Sequence, residues 1–471
     1  MGKIKFGTDG WRAIIAKDYT VDNVARVSKA TAEWLLQNFD KPSVVIGHDC
    51  RFGGALFVET AIKIFILKGI KVYTTEKGFV STPMISLATR VLGASIGVVI
   101  TASHNPPDYN GFKLKGSFGG PLSPKEVDEI ESMIQNENEI NLDIISIDKA
   151  KKEGLIELRD FEQIYIDQVE RVFDLDLIKK SNFGWAYDAM YGAGQNVMKR
   201  LLPDIDFLHC EYNPSFYGQA PEPIHKNLLE FSALLKNNDD LHCGLATDGD
   251  ADRIGLYNST GEFIDSHHII LLTIHYLVKY KGLSGKVVTG FSSTPRIKKM
   301  CQHYGLEHVE VPIGFKYISG LMADESQDVL LGGEESGGIA LKTHIPERDG
   351  IWMGLTIWEF MAKTGKSLEE LIQEVYEIVG PFAFERSDLH INESLKNQIV
   401  EKCKQQSFNL FGRYKVSKVE NMDGFKYFFD DNRWLMIRAS GTEPVLRTYA
   451  EAPTLEEVRI ILESCKLTIG A

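Results

Sequence analysis

The chain has few of the residues that staple a fold or carry it through a membrane. Its six cysteines lie at positions 50, 210, 243, 301, 403 and 465 of 471, and no two form a C-x-x-C pair. That scatter excludes a disulfide framework and a cysteine zinc site, and it fits buried thiols of a reducing compartment. There is no run of about eighteen apolar residues, so no segment reads as a membrane-spanning helix. The opening Met1-Gly2-Lys3-Ile4-Lys5-Phe6 lacks an apolar signal core, and the cytoplasm is the expected location. Low-complexity segments are absent. Positive charge is also short: 52 Lys and Arg stand against 65 Asp and Glu, a formal charge of −13. Such a surface repels nucleic acid and anionic membrane, which leaves small molecules as the expected partners. If the substrate is itself an anion, positive charge must be gathered locally in a cleft.

What is present is ordinary for a globular protein: 44% apolar and 25% charged residues. At roughly 100–200 residues per domain the length suggests about three or four domains. Strand-like and helix-like segments alternate, the grammar of α/β units. Three places share one form, a short apolar strand, a loop of small polar residues and then a helix. They begin at Val44-Val45-Ile46-Gly47-His48-Asp49, Gly184-Trp185-Ala186-Tyr187-Asp188 and Lys286-Val287-Val288-Thr289-Gly290. They read as opening strands of three similar α/β modules, by duplication or by shared βα grammar. Ser123, Pro124 and Glu126 predict a helix start with a capping box. The polar stretch after that helix, the turn Asn258-Ser259-Thr260-Gly261 and Gly380-Pro381 mark boundaries. The expected domains are 1–150, 151–260, 261–380 and 381–471, the last a smaller α+β domain ending in a helix over 454–466.

Four segments carry chemistry, each after an apolar strand, where ligands bind in α/β sheets. Thr101-Ala102-Ser103-His104-Asn105-Pro106-Pro107 follows Ile96-Gly97-Val98-Val99-Ile100. Small residues and two prolines stiffen it, and His104 and Lys113 are near enough in sequence to activate Ser103 or neutralise a phosphate on it. Asp248-Gly249-Asp250-Ala251-Asp252-Arg253 sets three carboxylates at alternate positions. They repel one another unless a cation lies among them, and oxygen-only ligation suits Mg²⁺. An EF-hand counted from Asp248 fails, because Arg253 and Ser259 stand where Gly and Glu are needed. An aspartyl-phosphate D-x-D-x-T/V motif fails at Ala251-Asp252. Gly332-Gly333-Glu334-Glu335-Ser336-Gly337-Gly338 follows Val329-Leu330-Leu331 and offers acceptors and a hydroxyl for sugar hydroxyls. Arg438-Ala439-Ser440-Gly441-Thr442-Glu443-Pro444, with Arg447 beyond, reads as a phosphate cradle. Phe6-Gly7-Thr8-Asp9-Gly10-Trp11-Arg12 and Gly314-Phe315-Lys316 add an arginine and a lysine.

In their order along the chain, these four segments resemble the α-D-phosphohexomutase family of phosphoglucomutases and phosphomannomutases. The resemblance spans residues 6 to 447, and Phe6-Gly7-Thr8-Asp9-Gly10 and Gly314-Phe315-Lys316 share in it. It implies four domains around a central cleft, each supplying one sugar-contacting loop. It also implies that Ser103 carries a phosphoryl group and that Mg²⁺ is held by Asp248, Asp250, Asp252 and an oxygen of that phosphate. Arg253 would spread the charge of transfer. Ser440, Gly441 and Thr442 would join Arg438 and Arg447 on the non-transferring phosphate, with Glu334 and Ser336 on the sugar.

The implied reaction interconverts a hexose 1-phosphate and 6-phosphate through a 1,6-bisphosphate, with glucose 1,6-bisphosphate as activator. Lys113 ranks first as general base, its proton loosened by a cleft of cations, and His104 second. Arg12, Arg253, Lys113, Lys316 and Arg438 would together supply the local positive field. Glu334-Glu335-Ser336 resembles the phosphoglucomutase form, which places glucose first and mannose second. A phosphosugar hydrolase and a non-catalytic sugar-phosphate binder are the rival classes. The expected assembly is a monomer or weak dimer.

Overall fold

The computed structural model describes residues 4–76, 78–439 and 445–470. The first module is built on β1 (Trp11–Ile14), β2 (Ser43–His48), β3 (Lys71–Thr74), β4 (Ile96–Ile100), β5 (Tyr109–Gly116) and β6 (Ile156–Leu158). They form one sheet in the order β1-β5-β4-β2-β3-β6. Strands β4, β2, β3 and β6 run parallel, whereas β5 and β1 are joined antiparallel at one edge. Every residue of β4 is buried, as a strand covered on both faces requires. Helices Val21–Asn38 and Gly54–Leu67 pack Val24, Val27, Leu35, Phe57, Ile64 and Phe65 against Val44, Ile46, Val98 and Ile100. Each such fully buried side chain contributes roughly 1.5–3 kcal/mol.

The second module repeats the plan. Strands β7 (Trp185–Asp188), β8 (Asp206–Leu208), β9 (Cys243–Thr247), β10 (Ile254–Asn258) and β11 (Phe263–Ile264) form a sheet ordered β11-β10-β9-β7-β8. Again one run of strands, β8, β7 and β9, is parallel, and the chain turns back antiparallel after the last of them, β9 to β10. In the third module β12 (Lys286–Gly290) and β13 (His308–Val311) precede β14 (Val329–Gly333) and β15 (Ile339–Leu341), and β14 and β15 pair antiparallel. Strand β14 runs two residues further than the sequence predicts, so Gly332 and Gly333 belong to the strand rather than the loop.

The chain divides into two units. The first holds Met1–Val288 and Gly314–Ile372, and the second holds Thr289–Ile313 and Gln373–Ala471. The second unit contains the sheet of β16 (Ala383–His390), β19 (Lys418–Glu420), β20 (Phe425–Asp430), β21 (Arg433–Ala439) and β22 (Val445–Ala452), ordered β16-β22-β21-β20-β19. A two-residue hairpin, β17 (Leu410–Phe411) and β18 (Tyr414–Lys415), lies in the same unit. Strand β21 extends past the predicted Ile437 and takes in Arg438 and Ala439.

Local signals hold where the chemistry is local. Ser123 accepts from the Glu126 N–H while the Glu126 side chain accepts from the Ser123 N–H, the expected capping box. The last helix, Leu455–Ile469, starts at the Thr454 cap. Among the described residues no helix is long and apolar enough to cross a membrane.

Candidate active site

In the first sheet the chain leaves β2 toward β3 on one side, and then returns to β4 on the other side of β2. Connections that part in this way open a crevice at the strands' C-terminal ends. Two loops meet there: Asp49-Cys50-Arg51 after β2, and 101–106 after β4. Arg51 is 1% exposed. Its guanidinium donates to the carbonyls of Ser103 (2.6 Å), Asn105 (2.6 Å), Pro106 (2.7 Å) and Tyr109 (3.0 Å). Asp49 holds the arginine from below, 3.3 Å from its Nε, and accepts from Thr101 Oγ1 at 2.5 Å. Burial pushes the Asp49 carboxyl up to about 6, with Arg51 and Thr101 working against that shift. The loop carbonyls thus converge on one cation, and Ser103 is bent into a positive φ of 53°. For a non-glycine residue that conformation costs on the order of 1–3 kcal/mol.

The connection between β9 and β10 is the equivalent place in the second module, and it carries the three aspartates. Asp248, Asp250 and Asp252 are fully buried, and one carboxylate oxygen from each lies within 4.8 Å of the others. Ser103 Oγ donates to Asp248 Oδ2 at 2.6 Å. The loops press together so closely that a Cβ on Gly249 would sit 2.5 Å from the Ser103 carbonyl oxygen. Only glycine fits there. Asp248 also accepts from the Arg253 N–H at 3.0 Å, and Asp250 accepts from Thr82 Oγ1 at 2.5 Å.

A cationic shell surrounds the aspartates. Lys113 Nζ lies 2.8 Å from Asp250, 3.0 Å from Asp252 and 2.8 Å from Asp9. Arg348 contacts Asp252 at 2.7 Å and also pairs with Asp9. Lys115 pairs with Glu347 at 2.6 Å. Arg12 donates to Asn105 Oδ1 at 2.7 Å, and His104 Nδ1 lies 3.3 Å from Ser103 Oγ. Burial pushes Asp248 well above the usual carboxylate range, helped by Asp250 and Asp252. Burial also disfavours charge on Asp250, but Lys113 and Thr82 outweigh it and hold that carboxyl low. His104 is held well below its ordinary value by burial and then by Arg253, Arg12, Lys113 and Arg51.

Lys113 differs from the sequence expectation of a loosened proton. Burial alone would lower it, yet Asp250, Asp252 and Asp9 outweigh burial and raise it. Its neighbours are chiefly carboxylates, not the predicted cations. Arg12, Lys113, Lys115, Arg253 and Arg348 stand against Asp9, Asp248, Asp250, Asp252 and Glu347, so their formal charges cancel. A divalent cation would tip the balance positive. The donors suit one: Asp250 Oδ1 and Asp252 Oδ1 are buried without a hydrogen-bonding partner among the described residues.

Between β14 and β15, again the turn back to an antiparallel strand, lies the Glu334 loop. Glu334 is 6% exposed and accepts from the Gly314 N–H at 2.9 Å. Burial pushes its carboxyl up to about 7, opposed by Arg348. The loop abuts the aspartate loop, because the Ile254 N–H donates to the Gly337 carbonyl at 3.1 Å. Ser336 is half-buried in this loop. Lys316, at the start of helix Phe315–Ala323, rests its ammonium 5.3 Å from the Tyr317 ring centroid. In the second unit Arg438 and Arg447 face each other across β21 and β22. Ser440, Gly441 and Thr442 lie outside the described residues.

Four family models match the chain in series. They are phosphoglucomutase/phosphomannomutase α/β/α domain I over 3–141, domain II over 163–261, domain III over 265–379 and the C-terminal domain over 395–465. The chain belongs to the phosphoglucomutase/phosphomannomutase family. The four-domain α/β architecture with mixed sheets therefore stands. The chain is 30% identical to a phosphoglucomutase/phosphomannomutase of Thermococcus kodakarensis, over 98% of this chain and 97% of that one. It is 29% identical to a Sulfurisphaera tokodaii phosphoglucosamine/phosphogalactosamine mutase, over 96% of each. A Thermus thermophilus structure, solved as a candidate phosphomannomutase, superposes with a TM-score of 0.87 at 32% identity over the full length of both chains.

In this phosphoglucomutase/phosphomannomutase family member the sequence reading missed Asp49, Arg51, Asp9, Glu347 and Arg348. Arg51 stands only two residues past the segment quoted for β2, and Asp9 lies within the noted Phe6–Arg12 stretch. Glu347 and Arg348 gave no local signal. Their partners lie at positions 9, 115 and 252, and only the fold brings them together.

Proposed function

We propose that the chain is a phosphohexomutase that interconverts glucose 1-phosphate and glucose 6-phosphate, with Ser103 as the phosphoryl carrier. One observation carries the reading. A strained, buried serine donates a 2.6 Å hydrogen bond into a buried triad of aspartates. A magnesium ion held by Asp248, Asp250 and Asp252 would neutralise charge on the phosphate that Ser103 carries. The chain's own residues do the rest. The 6-hydroxyl of glucose 1-phosphate attacks phosphorus as the bond to Ser103 Oγ breaks, and the hydroxyl proton passes to a base. His104, 3.3 Å from Ser103 Oγ, is placed to take it. The resulting 1,6-bisphosphate returns its other phosphate to Ser103 and leaves glucose 6-phosphate. Arg12 and Arg253 stabilise the transferring group, with Lys113 as a fixed cation. Glu334 and Ser336 bind sugar hydroxyls, and Lys316 is a further substrate ligand. Arg438 and Arg447, with Ser440, Gly441 and Thr442, hold the phosphate that stays.

Glucose ranks ahead of mannose because Glu334-Glu335-Ser336 resembles the phosphoglucomutase form of this loop. Relatives named for glucosamine phosphate make the third sugar a necessary comparison. A coupled assay of kcat/KM on glucose, mannose and glucosamine 1-phosphates is expected to favour glucose. A preference for glucosamine 1-phosphate would overturn the glucose assignment. Ser103→Ala is expected to abolish turnover on all three while leaving the fold intact. Exhaustive chelation of divalent metal should stop transfer while sugar-phosphate binding persists; survival of activity would reduce the aspartate triad to a structural role. Release of free phosphate, without stimulation by glucose 1,6-bisphosphate, would favour the hydrolase reading.

A further inference from the structure

We propose that Asp423 is a positioning residue for Arg438, fixing the guanidinium plane of the phosphate-binding arginine and tying it to the backbone at Ile313. The inference rests on the reading of Arg438 as a phosphate ligand.

Asp423 lies in the turn Asn421-Met422-Asp423-Gly424 between β19 and β20. Asp-Gly is a common turn pair, and an aspartate in it ordinarily bonds the backbone of its own turn. Here the carboxylate faces β21 and the loop after β13. Its Oδ1 accepts from Arg438 Nε at 3.0 Å, and its Oδ2 accepts from Arg438 Nη2 at 3.3 Å. The same Oδ2 accepts from the Ile313 N–H at 2.9 Å. Two parallel contacts on one edge of a guanidinium set its plane as well as its position.

The backbone is shaped for this approach. Gly424 has a φ of +107°, and a Cβ there would lie 2.9 Å from Met436 Cε, 3.0 Å from the Ile437 carbonyl oxygen and 3.1 Å from Arg438 Cβ. Glycine lets the turn press onto β21 at the arginine itself. Across the ladder Arg438 stands directly opposite Arg447. Like charges at facing positions repel. Asp423 offsets one of them, and the Arg447 Nε is buried with no hydrogen-bonding partner among the described residues. Arg438 and Arg447 thus gather two positive charges at facing positions of β21 and β22, the charge a phosphate requires. Ile313 is the last residue of its stretch of this unit. Asp423 therefore links the phosphate-binding strand to the Ile313 backbone within this unit. The ion pair is partly exposed, at 22% for Arg438 and 27% for Asp423. Such a pair adds little to stability. Its effect belongs in substrate binding.

The test is a cycle of Asp423→Ala, Asp423→Asn, Arg438→Ala and the double alanine variant in the full-length protein. It reads KM and kcat on glucose 1-phosphate, and amide hydrogen exchange at Ile313. Asp423→Ala is expected to raise KM about tenfold with kcat little changed, the scale of one lost charge-assisted bond. Asp423→Asn, which keeps one acceptor, should recover part of that loss. The double variant should be no worse than Arg438→Ala, and Ile313 should exchange faster without Asp423. An unchanged KM in Asp423→Ala, while Arg438→Ala raises KM, overturns the inference and leaves the phosphate site standing. Additive losses in the double variant also overturn it, since Asp423 would then act apart from Arg438. If Arg438→Ala itself leaves KM unchanged, the phosphate-site reading falls and the inference falls with it.

Discussion

Arg51 shows how much of the site one side chain can hold. Its planar fork satisfies four carbonyls that turn inward because the loop bends sharply at Ser103. A lysine is a point donor on a flexible stem and cannot span them. Arg51→Lys is therefore expected to lower kcat by about 10²-fold, the cost of roughly 1 Å of misplacement at the nucleophile. Thermal unfolding should also move down, because several buried carbonyls lose donors at about 1–3 kcal/mol each. Wild-type kcat in that variant would show that the loop holds its shape without the fork. Ser103, the three aspartates and Arg253 were legible in the sequence because each of their loops follows an apolar strand and carries a dense cluster of polar residues. Arg51 was not, because its role lies in carbonyls 52 to 58 residues further along. The surroundings of Lys113 were not legible either. The sequence reading set it in a cleft of cations, whereas the fold puts Asp9, Asp250 and Asp252 against it.

At the scale of elements, the three described loops of the first unit occupy one topological place. The Ser103 loop joins β4 to β5, the aspartate loop joins β9 to β10, and the Glu334 loop joins β14 to β15. In each case a buried strand ends and the chain turns back antiparallel. The sequence showed three modules through their opening strands but not this equivalence, because an antiparallel return has no local signature when both strands are apolar. The shared position explains the contact between loops. Strand ends fix where each loop starts, and glycines set how near the loops come. Gly249→Ala puts a methyl group against the Ser103 carbonyl. It should cost about 1–3 kcal/mol in stability as an overpacked contact. It should also lower kcat/KM by about 10²-fold, since Ser103 and Asp248 must part to admit it. A variant destabilised by that amount yet fully active would mean that the 2.6 Å Ser103–Asp248 bond does not serve catalysis.

At the scale of the whole molecule, the second unit has its own sensitivity to pH, separate from the aspartates of the first. His308 on β13 bonds Thr289 Oγ1 at 2.8 Å. Burial lowers its imidazole to about 4, with Lys298 and Lys426 adding repulsion. An unfolded histidine titrates near 6.5. The folded unit thus favours the neutral ring. Its contribution is fully present above about pH 6.5, declines as the unfolded chain gains a proton, and is lost as pH falls through about 4. Discounted for partial exposure, the whole effect is about 2 kcal/mol. Carboxylates elsewhere titrate over the same range, so the informative quantity is a difference between proteins. His308→Gln keeps a polar side chain at Thr289 but removes the titration. Between pH 7 and pH 5 the wild-type unit should lose more thermal stability than the variant, read by scanning calorimetry on the full-length chain. Parallel losses in the two proteins would show that His308 takes up its proton without cost to the fold, and the acid sensitivity would then belong to the carboxylates alone.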